Sequence, residues 1–241
     1  MAKQAVSPGK LYLLPSPLGE GGAAVMPVYL VERLASLSYL IAERAKTARQ
    51  YIKEVLPGRD LNDWQIVELN KRTAAEEKPR LLDPALEGHS IGLLSEAGCP
   101  GVADPGAEVV RLAHERGIEV VPMVGPSSIL LALMASGMSG QQFCFHGYLP
   151  PKRPELAREL KRLEQQAMRY RQTQLFIETP YRNGSLLETA LHTLSPATRL
   201  LVAADLTLPT QYIRALRIVD WQQTPLPDLH KRPAVFAVFA E

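Results

Sequence analysis

The segment SIGLLSEAGCPGVADPG, residues 90–106, carries the strongest indication of fold in this chain. It opens with a short apolar run, Ser90–Leu94, typical of a buried strand, and the next twelve residues hold three glycines, two prolines and two carboxylates. At the carboxyl end of a strand in an open α/β sheet, glycines let the backbone approach a ligand and carboxylates accept from hydroxyl or amine donors. The segment therefore predicts a ligand-binding loop. A tight turn, with Asp104 as the N-cap of a helix that starts at Pro105, explains the same residues, and the two roles are compatible.

Strand-like and helix-like patterns alternate along the rest of the chain. Further apolar, strand-length runs are Lys10–Leu14, Ser38–Ala42, Glu119–Met123, Phe143–Tyr148, Gln174–Ile177, Arg199–Ala203 and Ala234–Phe239. Amphipathic stretches between them predict helices over Pro27–Leu37, Ala45–Leu56, Pro105–Arg116, Pro126–Ser136, Glu155–Tyr170 and Gly184–Leu194. This alternation predicts an α/β protein with mostly parallel sheets, whose last strand is a candidate for antiparallel pairing.

A loop with two glycines, residues 137–140, separates an apolar helix from the next strand. Such a loop is typical of a domain boundary. We therefore expect an N-terminal α/β domain over residues 1–137 and a C-terminal α/β domain over residues 138–241.

Composition excludes several classes of protein. The 241 residues are 46% hydrophobic and 22% charged, as in globular proteins, and no apolar run reaches the roughly 18 residues that span a bilayer. Met1–Lys10 lacks the apolar core of a secretory signal, so we expect a cytoplasmic protein without a membrane partner. Cys99 and Cys144 have no metal-ligand spacing, which predicts reduced core thiols and no metal site. A net charge of +2 neither demands nor excludes nucleic acid.

Residues 19–24, GEGGAA, fit the glycine fingerprint of dinucleotide-binding folds, and Glu43 lies at a suitable distance downstream. That fingerprint needs a helix that starts within the glycines, and Pro27 would then break the helix from inside. We therefore interpret residues 15–24 as a loop that precedes a helix starting near Pro27.

Two other segments have a functional and a structural explanation. Gly125–Ser128 follows a strand and opens an apolar helix, so it is either a second ligand loop or a simple helix cap. Residues 152–171 hold seven bases and three acids. That helix could follow a phosphate backbone, or its charges could form a solvated face with Glu–Lys pairs.

Five collinear motifs resemble the tetrapyrrole (corrin/porphyrin) methylase superfamily. Within it, the chain is most similar to the branch that methylates a ribose 2′-hydroxyl of small-subunit ribosomal RNA with S-adenosylmethionine. The motifs are Leu11–Gly19, Leu94–Pro100 with Asp104–Gly106, Val121–Pro122 with Gly125–Ser128, Phe145–Lys152, and Glu178–Arg182. The resemblance implies two α/β domains, with a mostly parallel sheet in the first and a mixed sheet in the second, a homodimer, and a cleft between the domains for the methyl donor.

The resemblance also implies a set of residues that bind S-adenosylmethionine. This donor is a folded zwitterion that needs backbone donors, an apolar slot and acceptors, and its transfer chemistry needs no metal. The expected contacts are Pro15, Ser95, Glu96, Ala97, Cys99, Val102, Ser127, Ser128, Tyr148 and Ala204.

The chain departs from the ribosomal RNA branch at two motifs, and we expect it to be without the helical C-terminal extension of many members. An acidic-Asp-Thr-Arg run is replaced by residues 43–46, Glu-Arg-Ala-Lys, and an Arg-Glu-Leu-Thr-Lys stretch by residues 204–208, Ala-Asp-Leu-Thr-Leu. Ribosomal RNA stays the expected partner, with phosphate contacts from Lys46, Arg49, Lys152, Arg153 and Arg182.

Methylation of a hydroxyl near neutral pH needs an acceptor for its proton. Three carboxylates follow predicted strands and could face one opening: Glu43, Glu178 and Asp205. Each of them could instead be a cap or an ion-pair residue. Two alternatives stay open, namely a methyltransferase for a small, tetrapyrrole-like acceptor and a donor-binding protein without catalysis.

Overall fold

The computed structural model describes residues 7–240, and the chain divides into two units, Met1–Ser127 and Ser128–Glu241. In the first unit a five-stranded sheet has the order β3-β2-β4-β1-β5, and all its neighbouring strands are parallel. Its strands are β1 Leu11–Leu14, β2 Tyr39–Ala42, β3 Gln65–Glu68, β4 Ile91–Leu94 and β5 Val120–Pro122. Its helices are α1 Val28–Ala35, α2 Ala45–Val55, α3 Asp83–Leu86 and α4 Gly106–Glu115, with short 3-10 turns at Gly22–Val25, Leu61–Asp63 and Lys78–Leu82.

The first sheet is buried on both faces, which is why its strands are nearly continuous apolar runs. Side chains alternate along β1: Tyr12 and Leu14 pack with α1 and α2, and Leu11 packs with Ile91 and α4 on the other face. Two separate apolar clusters therefore cover this parallel sheet, and all its carboxyl-end loops leave from a single edge.

The second unit contains a mixed sheet with the order β6-β7-β10-β8-β9. Strands β6 and β7 are parallel, and β10 is antiparallel to both β7 and β8. The strands are β6 Phe143–Tyr148, β7 Thr173–Ile177, β8 Arg199–Ala204, β9 Tyr212–Arg217 and β10 Ala234–Phe239. The helices are α5 Ser128–Ser136, α6 Arg153–Tyr170, α7 Asn183–Thr193 and α8 Ile218–Trp221.

Large aromatic side chains anchor the core of the second unit. Phe176 on β7 and Phe236 on β10 stack with ring centroids 5.9 Å apart. Trp221 is fully buried, and its indole N–H donates to the carbonyl of Leu200 at 2.9 Å, which satisfies the one polar group of that side chain. These contacts hold the central strands β7, β10 and β8 in register.

The predicted α/β fold, with a parallel first sheet and a mixed second sheet, is confirmed. The predicted strand over residues 119–123 is shorter, Val120–Pro122, and the last strand pairs antiparallel. Two strands were missed, β3 and β9, and each lies at the edge of its sheet. An edge strand pairs on one side only and can stay partly exposed, as β3 does, so it lacks the apolar run that marks a central strand. Over residues 7–240, no helix is both long and apolar enough to cross a membrane.

Glu164 is a buried carboxylate that fastens α6 to the loop before β8. It is 4% exposed and accepts from Ser195 N at 2.7 Å, Thr198 Oγ1 at 2.5 Å and Lys161 Nζ at 3.0 Å. Burial by itself would raise the pKa of Glu164, but the hydrogen bonds from Thr198 and Ser195, together with Lys161, hold it below the ordinary value of 4.5.

We expect Glu164→Ala to lower the free energy of unfolding at neutral pH by about 1–3 kcal/mol, because two buried donors lose their acceptor. Glu164→Gln keeps an acceptor and should cost less. Since folding lowers the pKa of this carboxyl, its contribution is present above the unfolded pKa and is lost as the pH falls through the folded pKa. Urea unfolding at about pH 7 and about pH 4 should therefore show the wild-type advantage over both variants shrinking in acid. Glu155→Ala is the control, since it removes a half-buried acid of the same helix that pairs with the exposed Lys152 and accepts from no buried donor within residues 7–240, and an equal loss there would contradict the assignment.

Candidate functional site

Three loops leave the carboxyl edge of the first sheet side by side. They follow β4, β1 and β5, which are neighbours in that order, and they begin at Ser95, Pro15 and Met123. In the sheet, β2 lies on one side of the pair β4–β1, and β5 lies on the other side. The chain therefore turns in opposite directions after β1, which is followed by β2, and after β4, which is followed by β5. A ligand crevice in an open α/β sheet forms at such a switch point.

Backbone hydrogen bonds join the loops after β1 and β4. Ser16 N donates to Gly98 O at 2.9 Å, and Gly98 N donates back to Ser16 O at 3.0 Å. The hydroxyl of Ser16 donates to Ser95 O at 2.8 Å, and the hydroxyl of Ser95 donates to Gly98 O at 2.7 Å. Gly98 has a φ of +72°, a left-handed conformation that glycine adopts without strain. The two loops are therefore held as one unit.

The loop after β5 packs against the same pair. A Cβ added to Gly125 would lie 2.4 Å from Cβ of Pro15, so only glycine permits this approach. The thiol of Cys99 donates to Pro126 O at 3.5 Å. Burial raises the pKa of this thiol, although a hydrogen bond with Ser127 works in the opposite direction. Cys99 is therefore a packing residue and not an activated nucleophile.

Asp104 organises the second half of the β4 loop. Its Oδ1 accepts from Gly101 N at 2.7 Å and from Gly106 N, the first residue of α4, at 2.8 Å. Burial raises the pKa of Asp104, although both N–H groups oppose that rise. The prediction that Asp104 is the N-cap of a helix starting at Pro105 is wrong, because α4 begins at Gly106 and Pro105 is its N-cap. The Asp104 side chain, one residue earlier, accepts from the first N–H of the helix.

Carboxylates gather where β2, β3 and β4 end. Glu96 accepts from Thr47 Oγ1 at 3.2 Å and lies 4.0 Å from Arg44 Nε. Burial is the main cause of the raised pKa of Glu96, Thr47 and Arg44 oppose it, and the negative charges of Glu43 and Glu68 raise it further. Within residues 7–240, Glu43 has neither a hydrogen-bond nor an ion-pair partner. It lines a small pocket together with Leu69, Leu93, Leu94, Asp104, Pro105 and Gly106.

Glu68 is a residue that the sequence did not reveal, because it lies on the missed strand β3. Its Oε1 accepts from Ala45 N, the first residue of α2, at 2.8 Å. Arg44 precedes the helix and makes no side-chain cap. The neighbouring strand therefore supplies the acceptor that an Asp or Thr at residues 44–45 would otherwise provide.

Glu178 and Asp205 lie at one edge of the second sheet, where the parallel strands β7 and β8 end. Glu178 is 5% exposed and accepts from Thr179 N at 2.6 Å and from Arg182 NH2 at 2.6 Å. Asp205 accepts from Arg232 Nε at 2.7 Å and from Thr210 Oγ1 at 2.9 Å. Both carboxylates are thus occupied by guanidinium groups of their own unit.

Arg232 is a second residue that the sequence gave no reason to select. Besides Asp205, it donates to the carbonyls of Asp228 at 3.0 Å and Thr210 at 2.5 Å. The guanidinium thereby joins the loop after β8 to the loop before β10. Asp205, Thr207 and Lys231 have φ values of +49°, +71° and +60°, so the two joined loops also hold three non-glycine residues in the left-handed region.

The other predicted site residues fall into separate groups. In the first unit Pro15 is buried, Ala97 and Val102 are exposed, and Lys46 and Arg49 lie exposed on α2. In the second unit Ser128 starts α5, Tyr148 is exposed at the end of β6, and Ala204 is buried at the end of β8. Lys152 and Arg153 at the start of α6 lie 3.8 and 3.1 Å from Glu155 and Glu188.

The glycine-rich run 19–24 does not open a helix. It leads into the 3-10 turn Gly22–Val25, and α1 begins only at Val28, with Pro27 as its N-cap. The expected helix start near Pro27 is confirmed. A dinucleotide phosphate would therefore find no helix N-terminus at these glycines.

Comparisons with known proteins agree on one family. The sequence pattern of the family described as Tetrapyrrole (Corrin/Porphyrin) Methylases matches residues 11–220. A protein named "Ribosomal RNA small subunit methyltransferase I" from Escherichia coli O157:H7 is 31% identical over 98% of this chain and 78% of its own length. A protein of the same name from Streptococcus pyogenes serotype M3 is 33% identical over 76% of this chain. The match spans 60% of the length of that streptococcal relative.

A solved structure shares the fold. The uroporphyrin-III C-methyl transferase of Thermus thermophilus, solved in complex with S-adenyl homocysteine, aligns with a TM-score of 0.55 and 18% identity. The alignment covers 96% of this chain and 97% of that structure.

The contact between Gly125 and Pro15 gives a test of the loop assembly. We expect Gly125→Ala to lower the free energy of unfolding by about 1–3 kcal/mol, because the new methyl group overlaps a rigid proline ring. Gly140→Ala is the matched control, since a Cβ there meets nothing within 4 Å. Urea unfolding measures both. Equal stability of the two variants would show that the loop after β5 is not packed on Pro15.

Proposed function

The chain belongs to the tetrapyrrole (corrin/porphyrin) methylase family, and from this premise we propose that it transfers a methyl group from S-adenosylmethionine to a ribose 2′-hydroxyl of small-subunit ribosomal RNA. The relatives at 31% and 33% identity support this substrate, since both are named ribosomal RNA small subunit methyltransferases. The uroporphyrin-III C-methyl transferase solved with S-adenyl homocysteine shares the fold, but its name gives uroporphyrin III, and not RNA, as the methyl acceptor.

The joined loops after β1, β4 and β5 are the observation that carries the proposal for the donor. They present backbone groups at a switch point of a parallel sheet, with glycines where a ligand must come close. Glu43 and Glu96 place negative charge at the same edge, which fits the positive charges of a sulfonium and an amine. The first-unit residues proposed to hold the donor are Pro15, Ser95, Glu96, Ala97, Cys99, Val102 and Ser127.

Bound S-adenosylmethionine would supply a methyl carbon already activated by the sulfonium. The chain then has to orient the acceptor hydroxyl, exclude water and take up the hydroxyl proton. Among the three carboxylates proposed for the proton, Glu178 and Asp205 are engaged by Arg182 and Arg232. Glu43 has no such partner within residues 7–240. We therefore assign proton uptake to Glu43.

A homodimer in the cytoplasm completes the proposal. On α5, Leu130 and Met134 are four residues apart and share one face, with 51% and 80% of their surface exposed. Phe143 at the start of β6 is 40% exposed. Exposed apolar groups of this kind are typical of surfaces that a partner covers, and a ribosomal RNA substrate places the protein in the cytoplasm.

Donor binding is the first test. Titration calorimetry should show saturable binding of S-adenosylmethionine and S-adenosylhomocysteine, because the loop assembly is already formed. NADH should give no heat, because the glycines of residues 19–24 lie outside a helix N-terminus. Absence of donor binding by folded protein, or saturable NADH binding, would overturn the proposal.

The assignment of Glu43 predicts a kinetic phenotype. Glu43→Gln keeps the side-chain shape and removes the proton acceptor, so the rate of methyl transfer to ribosomal RNA should fall by about 10²–10⁴-fold. The thermal midpoint should stay close to wild type, and donor affinity should fall far less than the rate, because Glu96 still places a carboxylate at the same edge. Transfer of a labelled methyl group from the donor to an in vitro transcript measures the rate.

Glu54→Gln is the control for that experiment, since it removes an exposed carboxylate of α2 that contacts no proposed site residue. Asp205→Asn separates the alternatives. Wild-type transfer by Glu43→Gln together with inactive but folded Asp205→Asn would move proton uptake to Asp205. Transfer of the labelled methyl group to a tetrapyrrole and not to RNA would show that the proposed substrate is wrong. Absence of transfer to either acceptor would indicate a donor-binding protein without catalysis.

A further inference from the structure

Positive charge lies along α2, and within residues 7–240 Arg44 is its one base with an acid within 4.0 Å, namely Glu96. Residues 44–53 include four bases, Arg44, Lys46, Arg49 and Lys53, and no acid. Lys46, Arg49 and Lys53 are exposed and have no hydrogen-bond or ion-pair partner within residues 7–240. Lys46 lies in the first turn of α2, where a cation is unfavourable toward the helix dipole, whereas Lys53 lies in the last turn, where a cation is favourable. Neither ion pairs nor the helix dipole therefore explain all three bases.

The three bases form one face of the helix. They are spaced three and four residues apart, which places them in a row along α2 over about 10 Å. The opposite side of the helix is buried through Ala48, Tyr51 and Ile52. We call Lys46, Arg49 and Lys53 the α2 face.

The basic helix α6 differs in this respect. Several of its bases have acidic partners: Lys161 pairs with Glu164 at 3.0 Å, and Arg162 pairs with Glu159 at 2.6 Å. Lys152 and Arg153 also lie within 4 Å of carboxylates. Much of the positive charge that the sequence shows at residues 152–171 is therefore neutralised within the second unit.

Two further bases follow the strand that ends beside the start of α2. Strand β3 ends beside the start of α2, where Glu68 accepts from Ala45 N. The loop that follows β3 carries Lys71 and Arg72, both exposed, in a turn held by the bond from Arg72 N to Asn70 Oδ1 at 2.9 Å. These two exposed bases are therefore candidates to extend the positive surface beyond the helix.

The chemistry of this surface fits a chain of phosphates better than a membrane. A helix that inserts into a lipid surface exposes large apolar side chains beside its bases. The apolar residues of α2 are instead packed against the sheet. A row of unpaired ammonium and guanidinium groups matches the spaced negative charges of a nucleic acid backbone.

We infer that the α2 face is the surface that binds the phosphate backbone of the RNA substrate, with Lys53, Lys71 and Arg72 as contacts in addition to Lys46 and Arg49. This inference rests on the proposed function for the identity of the nucleic acid. It assigns the main electrostatic contact to α2 and not to α6.

The test uses the full chain and an in vitro transcript of bacterial small-subunit ribosomal RNA. We expect the triple variant Lys46→Ser, Arg49→Ser, Lys53→Ser to bind at least about tenfold more weakly at moderate salt. The slope of log affinity against log salt concentration should become shallower by about 2–3, because each lost phosphate contact removes roughly 0.7–0.9 from it. Fluorescence anisotropy from about 50 to about 300 mM salt measures both quantities.

Arg111→Ser, Arg162→Ser, Arg217→Ser is the matched control. It removes the same charge from three bases that each pair with an acid three or four residues away. This variant should keep the wild-type slope to within about one, since its bases are already neutralised. Equal effects of the two triple variants would show a general charge effect and overturn the α2 assignment.

Two additional measurements separate this inference from the proposed function. If the donor binds and methyl transfer occurs while the α2 variant binds RNA like wild type, the assignment of RNA binding to the α2 face is wrong and the proposed function is retained. If RNA binding depends on the α2 face and the donor does not bind, the proposed function is wrong and the assignment of RNA binding to the α2 face is retained. Binding to phosphatidylserine vesicles that equals RNA binding and is lost in the α2 variant would assign the surface to a membrane instead.

Discussion

The paired backbone hydrogen bonds between Ser16 and Gly98 are the interaction on which the candidate site depends. They join the loops after β1 and β4 at the point where the chain turns to opposite sides of the first sheet. Without these bonds the two loops would diverge, because the chain leaves β1 and β4 in opposite directions. The bonds need a left-handed residue at position 98, which glycine supplies. The hydroxyls of Ser16 and Ser95 then satisfy carbonyls inside the same turn.

The carboxylates of the two sheets differ in how many hydrogen-bond and ion-pair partners they have. In the second unit Glu178 and Asp205 each accept from an arginine, and Glu164 accepts from two donors and a lysine. A buried carboxylate without such partners is costly. At the edge of the first sheet, Glu43 lacks partners of this kind within residues 7–240, and Glu96 has a raised pKa. The partly satisfied carboxylates therefore mark the edge that we associate with a cationic ligand.

The bases of α2 and α6 also differ in whether an acid lies near them. A base has little long-range effect when it faces an acid, as Lys161 and Arg162 do on α6. The three bases of the α2 face have no ion pair within residues 7–240 and keep their full charge. On α6 some of these acids lie three residues from the base, as Glu164 does from Lys161, so helical spacing already indicates the pair. Arg153 instead pairs with Glu188 on α7, and only the tertiary structure reveals that pair.

The order of apolar runs, glycine loops and helical stretches was enough to predict the α/β fold and the central strands, because a strand buried on both faces must be apolar. The motifs at residues 94–106 and 125–128 likewise located the loops of the candidate site. Only the tertiary structure revealed the edge strands β3 and β9, the cap from Glu68 and the pairing of Asp205 with Arg232. These features join residues far apart in the chain, and their partners are selected by the packing of the sheets, which no local pattern records.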